Sequence, residues 1–159
     1  MTSSVVPKTH EKPRQLISPV LAVICLAAML LLDRLCPLLY IARFPLDLAG
    51  LLPACAGLAV SFAAQRQFRK AGTTLYPFDR PEKLVTDGLF RYTRNPMYLG
   101  LVLFLTGAWL LMGSLAPLGV VLAFVLIADR WYIVNEERRL AAAFGQAYQA
   151  YQARTPRWL

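Results

Sequence analysis

Two short stretches of this 159-residue chain hold residue types that can do chemistry. The first is Arg94-Asn95-Pro96-Met97-Tyr98, at the threshold of a long apolar run. Pro96 suits the first turn of a helix, where its missing N–H is no loss, and Asn95 is a good N-cap. Helix capping alone accounts for the Asn-Pro pair. A capped N-terminus also leaves backbone amides free to meet an anion, and Arg94 can add a bidentate clamp beside them. The second stretch is Asp129-Arg130 followed by Glu136-Glu137. On a continuous helix Asp129 and Glu136 are seven apart and share a face, with Glu137 about 100° round from Glu136. A single glutamate here is most simply paired with a neighbouring arginine or with water. Two adjacent carboxylates at an apolar boundary repel each other and repel anionic lipid, so something cationic should relieve them. A threshold that favours an anion, facing one that favours a cation, can grip a zwitterion.

The elements that must position these groups are apolar runs. Four stand out: Leu16–Leu32, Leu46–Ala64, Met97–Met112 and Leu118–Val134. Each approaches the length that crosses about 30 Å of hydrocarbon at about 1.5 Å per residue. The last two are short and borrow flanking residues. Pro53 lies inside the second run and is expected to kink it. Gly113-Ser-Leu-Ala-Pro117 is short and uncharged, so the third and fourth runs form a tight antiparallel hairpin. Between the second and third runs lies a long loop, Gln65–Asn95, punctuated by Gly72, Pro77, Pro81 and Gly88. A loop of that length inside a compact protein usually has a function. Beyond the fourth run, Leu140, Ala143, Phe144, Ala147 and Tyr151 recur at helical spacing, which predicts an amphipathic helix over Asn135–Arg154 loosened at Gly145. Pro156 should stop it. The fold class is therefore an all-α integral membrane protein. It has four transmembrane helices, a structured loop and a C-terminal amphipathic helix. It forms one domain: a tail over 1–15, a helix pair over 16–64, and the loop, helical hairpin and C-terminal helix over 65–159.

Composition agrees. The chain is 57% hydrophobic and 16% charged, too apolar for an ordinary soluble domain. Its net charge of +8 lies between the apolar runs and reads as a topology signal rather than as a nucleic-acid surface. Alternate sides hold fifteen and two of the seventeen Lys and Arg, which puts both termini and the central loop in the cytoplasm. Lys8, Lys12 and Arg14 precede Leu16–Leu32 as in a signal peptide. The run is long for that and lacks a small-residue cleavage site, so it is expected to be retained. Tyr40, Tyr76, Tyr92, Tyr98, Trp131 and Tyr132 fall near run ends, as in an aromatic belt. Cys25, Cys36 and Cys55 form no disulfide framework, and the one His, His10, lies in the polar tail. No metal site is expected.

The segment "LVTDGLFRYTRNPMYLG", then a helical hairpin, then "NEERRLAAAFGQAYQAYQARTPRW" resembles the isoprenylcysteine carboxyl methyltransferase family. It looks like the short bacterial members, which are related to phospholipid N-methyltransferases. The resemblance covers roughly Ala71–Leu159. It implies an inner-membrane, multi-pass methyltransferase that uses S-adenosylmethionine, releases S-adenosylhomocysteine, and acts on a lipidic or small apolar acceptor. The family's Arg-x-Pro-x-Tyr element falls on Arg94, Pro96 and Tyr98, and its Glu-Glu element on Glu136 and Glu137. On that reading Arg94, with the amides after Asn95, takes the donor's carboxylate. Glu136 or Glu137 takes its ammonium or ribose hydroxyls. Tyr98 and Trp131 pack on the adenine or line the transfer point, and Arg138 and Arg139 hold an anionic acceptor. Arg94, Tyr98 and Glu137 are the expected catalytic residues. Asn95 stands where eukaryotic members have His, and Asn cannot act as a base near neutral pH. Carboxylate, phospholipid amine and thiol acceptors all remain open. So do a nicotinamide-dependent reductase like the sterol reductases and a non-catalytic membrane protein.

Overall fold

The computed structural model describes residues 17–36, 38–40, 45–72 and 83–159. His10, the tail lysines, Arg43, Tyr76, Pro77 and Pro81 lie outside them. Every secondary-structure element among the described residues is helical, apart from one isolated bridge between Tyr40 and Ser114. The order is α1 (Ile17–Leu35), α2 (Leu51–Lys70), α3 (Pro96–Met112), α4 (Leu118–Ile127), α5 (Val134–Phe144) and α6 (Gln146–Arg154). A 3-10 turn, Leu46–Gly50, leads into α2, and a second, Gly88–Arg91, precedes α3.

Several elements differ from the sequence reading. Pro53 sits where the 3-10 turn Leu46–Gly50 passes into α2, as the third residue of the α-helical part, rather than in the middle of that helix. α2 runs on to Lys70, past the expected end at Ala64, and takes the first residues of the supposed loop. α4 does not end at the apolar boundary. It continues through a π-helical turn, Ala128–Ile133, into α5, giving one helix over Leu118–Phe144. The single amphipathic helix is two helices, because Gly145 takes φ +52° and breaks it. That conformation suits glycine alone at low cost.

Two helices are long and apolar enough to cross a membrane, Leu46–Lys70 and Leu118–Phe144, against the four expected. α3 is apolar but has 17 residues, about 25 Å of helix at 1.5 Å per residue. The two long helices are not core helices of a water-soluble fold. Leu52, Phe62, Leu122 and Leu126 all turn outward, and a surface that apolar needs cover.

The bundle is built around α3, which α2 meets antiparallel along glycines. Gly50 faces Gly107 and Gly57 faces Gly100. A methyl on Gly50 would sit 2.5 Å from the Gly107 oxygen, and one on Gly100 would sit 2.6 Å from the Gly57 oxygen. Small residues at such crossings let the two backbones touch. α1 and α4 close the other side, with Met29, Leu105, Phe124 and Ile133 fully buried between them. At one end the α3–α4 turn is pinned by Gly113 (φ +72°), by the Ser114 hydroxyl donating to Asp33 at 2.5 Å, and by the Trp109 indole donating to the Ser114 oxygen at 2.9 Å. The opposite end carries Arg94 and the glutamates.

The glycine contact predicts an asymmetry. Gly57→Ala is expected to destabilise the protein by about 1–3 kcal/mol through overpacking. Gly119→Ala, where nothing lies within 4 Å, should be neutral or stabilising. Thermal unfolding of the two variants in detergent checks this.

Candidate functional site

The site forms where the start of α3, the middle of the long helix and the last residues of the chain converge. The 3-10 turn before α3 is held from α2: the Gln67 amide donates to the Asp87 oxygen and accepts from the Leu89 N–H at 3.2 Å. Thr93, Asn95 and Pro96 are buried, and Pro96 opens α3 as expected. The Asn95 side chain does not cap the helix. Its Nδ2 donates to the Arg157 carbonyl at 3.0 Å, and the Thr93 hydroxyl donates to the same oxygen at 3.1 Å. The Arg94 backbone N–H donates to the Pro156 oxygen at 3.0 Å. The segment after α6 therefore straps the Arg-Asn-Pro turn in place.

Charge is paired in a chain of four groups, with the exposed Arg130 added at its end, 3.5 Å from Asp129. Arg94 Nη1 lies 2.9 Å from Glu137 Oε1. Arg157 meets Glu137 edge-on, Nε to Oε1 at 3.2 Å and Nη2 to Oε2 at 2.6 Å. Its Nη1 reaches Asp129 Oδ1 at 3.3 Å, and the Trp158 indole donates to that oxygen at 3.0 Å. The hydrogen bond to Glu137 is the main reason Arg157 holds its proton even more firmly than an ordinary arginine. Both Arg94 and Glu137 are mostly buried, with side chains 12% and 13% exposed. The Arg94–Glu137 contact is an ion pair without hydrogen-bond alignment, and Arg94 Nε has no acceptor in the protein. Glu136, one residue on, has no ion pair or hydrogen bond among the described residues.

The π turn sets this arrangement. It takes up one extra residue within a turn, so Asp129 lines up with Glu137, eight residues on, and not with Glu136 as a pure α-helix would have it. Arg157 bonds both aligned carboxylates. Glu136 is left facing a cleft.

That cleft holds about 670 Å³ of space between atoms, open water at its mouth included, within the usual range of ligand pockets. Arg94, Asn95, Pro96, Tyr98, Glu136 and Glu137 all line it. Its apolar wall comes from Phe68, Phe90, Met97 and Leu140, and its aromatic wall from Tyr148 and Tyr151. Lys83 stands exposed on the loop side, beside Leu84 and Val85. The Tyr151 hydroxyl donates to the Phe90 oxygen at 2.6 Å. Burial, above all, raises the phenols of Tyr148 and Tyr151, the latter to about 12, so both stay neutral.

Not every expected residue arrives. Trp131 is 63% exposed and lies outside the cleft lining, since a position two residues past Asp129 falls on the other face of the helix. Arg138 and Arg139 are exposed and also outside it. Arg157, Tyr148 and Phe90 were not singled out from the sequence. The "TPRW" stretch held the signal for Arg157, an arginine that falls just past the last helix.

A family model described as phospholipid methyltransferase matches residues 46–147. The chain is 33% identical over 76 residues to the protein-S-isoprenylcysteine O-methyltransferase of Schizosaccharomyces pombe. That match covers 46% of this chain and 31% of the relative, so this chain spans less than a third of that enzyme. It is 42% identical over 64 residues to an uncharacterized protein of Haemophilus influenzae, 40% of this chain and all of that one.

The Tyr151 hydroxyl gives a pH signature. Its phenol titrates near 10 when unfolded and near 12 here, so its contribution is whole below pH 10 and is lost as pH rises through 12. Tyr151→Phe should cost about 1–2 kcal/mol at neutral pH, since the Phe90 oxygen loses its donor. It should also flatten the fall in stability over that alkaline window, as read by thermal unfolding against pH.

Proposed function

Because the chain belongs to the phospholipid methyltransferase family, we propose that it is an integral membrane methyltransferase. The donor is S-adenosylmethionine and the acceptor lipidic or small and apolar. The observation that carries this is the cleft itself: one wall offers an arginine with an unmatched buried N–H, and the other offers an unpaired carboxylate. A zwitterion with an aromatic nucleoside fits that donor set. Bound there, S-adenosylmethionine supplies a methyl group on a sulfonium, which a nucleophile takes by in-line displacement without a metal. Arg94 takes the donor's carboxylate. Glu136 takes its ammonium, and Glu137 stays with the two arginines. Tyr98, Phe90 and Tyr148 pack the nucleoside and keep water out, which sharpens every charge contact in the cleft. No side chain need act as a strong base for a carboxylate or thiolate acceptor. Alignment and exclusion of water supply the rate.

In the membrane, α1 and α3 complete four crossings with the two long helices. The basic residues at the site end favour the cytoplasmic side of a bacterial inner membrane for that end and for both termini. Residues 16–64 scaffold the site and 65–159 hold the donor. Exposed Arg138 and Arg139 face headgroups or an anionic acceptor. O-methylation of a lipidic carboxylate is favoured by the likeness to the isoprenylcysteine enzyme. A phospholipid amine is favoured by the family model.

Calorimetry with S-adenosylhomocysteine in detergent tests the donor. Wild type should bind it saturably and NADPH not at all. Arg94→Ala and Glu136→Gln should each weaken binding about tenfold or more, the scale of one charge-assisted hydrogen bond at roughly 1.5–3 kcal/mol. Labelled methyl donor, followed by mass spectrometry of lipid extracts with and without the protein, identifies the acceptor. Label in a phospholipid amine would set aside the carboxylate.

A further inference from the structure

Arg157 lies beyond the residues that the family model matches, yet it makes three charged hydrogen bonds, two to Glu137 and one to Asp129. Resting on the methyl-donor reading above, we infer that Arg157 is a positioning residue that keeps Arg94 open to its ligand by holding Glu137 away from it.

The geometry supplies the reason. A carboxylate has two oxygens, and an arginine that meets it edge-on occupies both. Arg157 does so to Glu137, through Nε and Nη2. Toward Glu137, Arg94 is left with one unaligned contact on Oε1; the Tyr148 hydroxyl accepts from its guanidinium on the cleft side, and its Nε bonds nothing. Without Arg157, Glu137 is free to rotate and form the two-toothed pair with Arg94 instead. That pair would satisfy the guanidinium inside the protein, and a ligand carboxylate would have to break it. Asp129 makes the hold firm, since it fixes the third nitrogen of Arg157 and takes the Trp158 indole. The strap's own carbonyls then lock the turn that carries Arg94. Each of Glu137 and Asp129 meets two arginines, Arg94 and Arg157 for the first, Arg157 and the exposed Arg130 for the second, and Glu136 stands outside those pairs. The same sequence pair, Glu-Glu, thus divides into one structural carboxylate and one that faces ligand.

A role of this kind has a signature that mere stabilisation lacks, because removing the competitor should reverse the defect. The test titrates the full chain in detergent with S-adenosylhomocysteine and with 5′-methylthioadenosine, a probe without the amino-acid end. Arg157→Ala should weaken S-adenosylhomocysteine about tenfold or more and leave methylthioadenosine within about twofold; adding Glu137→Gln should restore binding to within about threefold of Glu137→Gln alone. Should Arg157→Ala fail to fold, Arg157→Lys keeps the charge and loses the edge-on fork, and the same selective weakening is expected of it. The inference is overturned by any of three results: Arg157 variants that bind like wild type, a double variant no better than Arg157→Ala, or both ligands weakening together. Wild type that binds methylthioadenosine but not S-adenosylhomocysteine would overturn the donor reading itself, and this inference with it.

Discussion

A carboxylate taken out of water must find partners, and Glu137 finds two guanidinium groups from opposite ends of the site. Burying one ion without compensation costs several kcal/mol, so each member of the Asp129–Arg157–Glu137–Arg94 chain constrains the others. This constraint reaches far. It fixes where the final residues run, because Arg157 must sit between two acids. It fixes the Arg-Asn-Pro turn, because the strap's carbonyls take the Arg94 N–H, the Thr93 hydroxyl and the Asn95 amide. It requires the π turn, which alone brings the two acids to one side.

The apolar architecture serves this cluster by removing freedom beneath it. α2 and α3 touch backbone to backbone at two glycine pairs, and Ser61 on α2 donates to the Met97 oxygen near the start of α3. Gln67, one helical turn and a half further along α2, clamps the turn that leads to Phe90. Phe90 in turn meets Phe68 edge-on, with centroids 4.8 Å apart, and receives the Tyr151 hydroxyl on its carbonyl. A continuous path of close contacts therefore runs from the membrane helices to the wall of the cleft. The site is held by rigid elements rather than by loops alone, as precise placement of a reacting group demands.

Much of this was legible in the residues. The apolar runs pointed to helices, Pro96 marked the start of α3, and Arg94 and the Glu-Glu pair, read as opposed charges, line one cleft. The rest was hidden for physical reasons. Whether a run of apolar residues crosses hydrocarbon depends on its ends, and the 17 residues of α3 carry no such information by themselves. Asn95 reads as a cap because most Asn before Pro are; its amide turned instead to a carbonyl 62 residues away, a contact no local pattern encodes. The split between Glu136 and Glu137 depended on a helical turn of abnormal pitch, and nothing in Ala128–Ile133 announces it. Glycine spacing on α2 and α3 was visible, but the pairing of Gly50 with Gly107 and Gly57 with Gly100 needed the antiparallel packing to give it meaning.

The π turn has an evolutionary corollary. It works as a stored one-residue insertion, and it would surface in a comparison of relatives as a single-position gap between Ala128 and Ile133. A descendant that lost that residue would keep its span, its acidic pair and its final arginine. Its helix would relax to ordinary pitch, and its two acids, then seven apart, would still share the face that meets the final arginine. The opposite case is a chain that kept the residue and lost the turn: every motif would survive on paper, with the second acid rotated off that face.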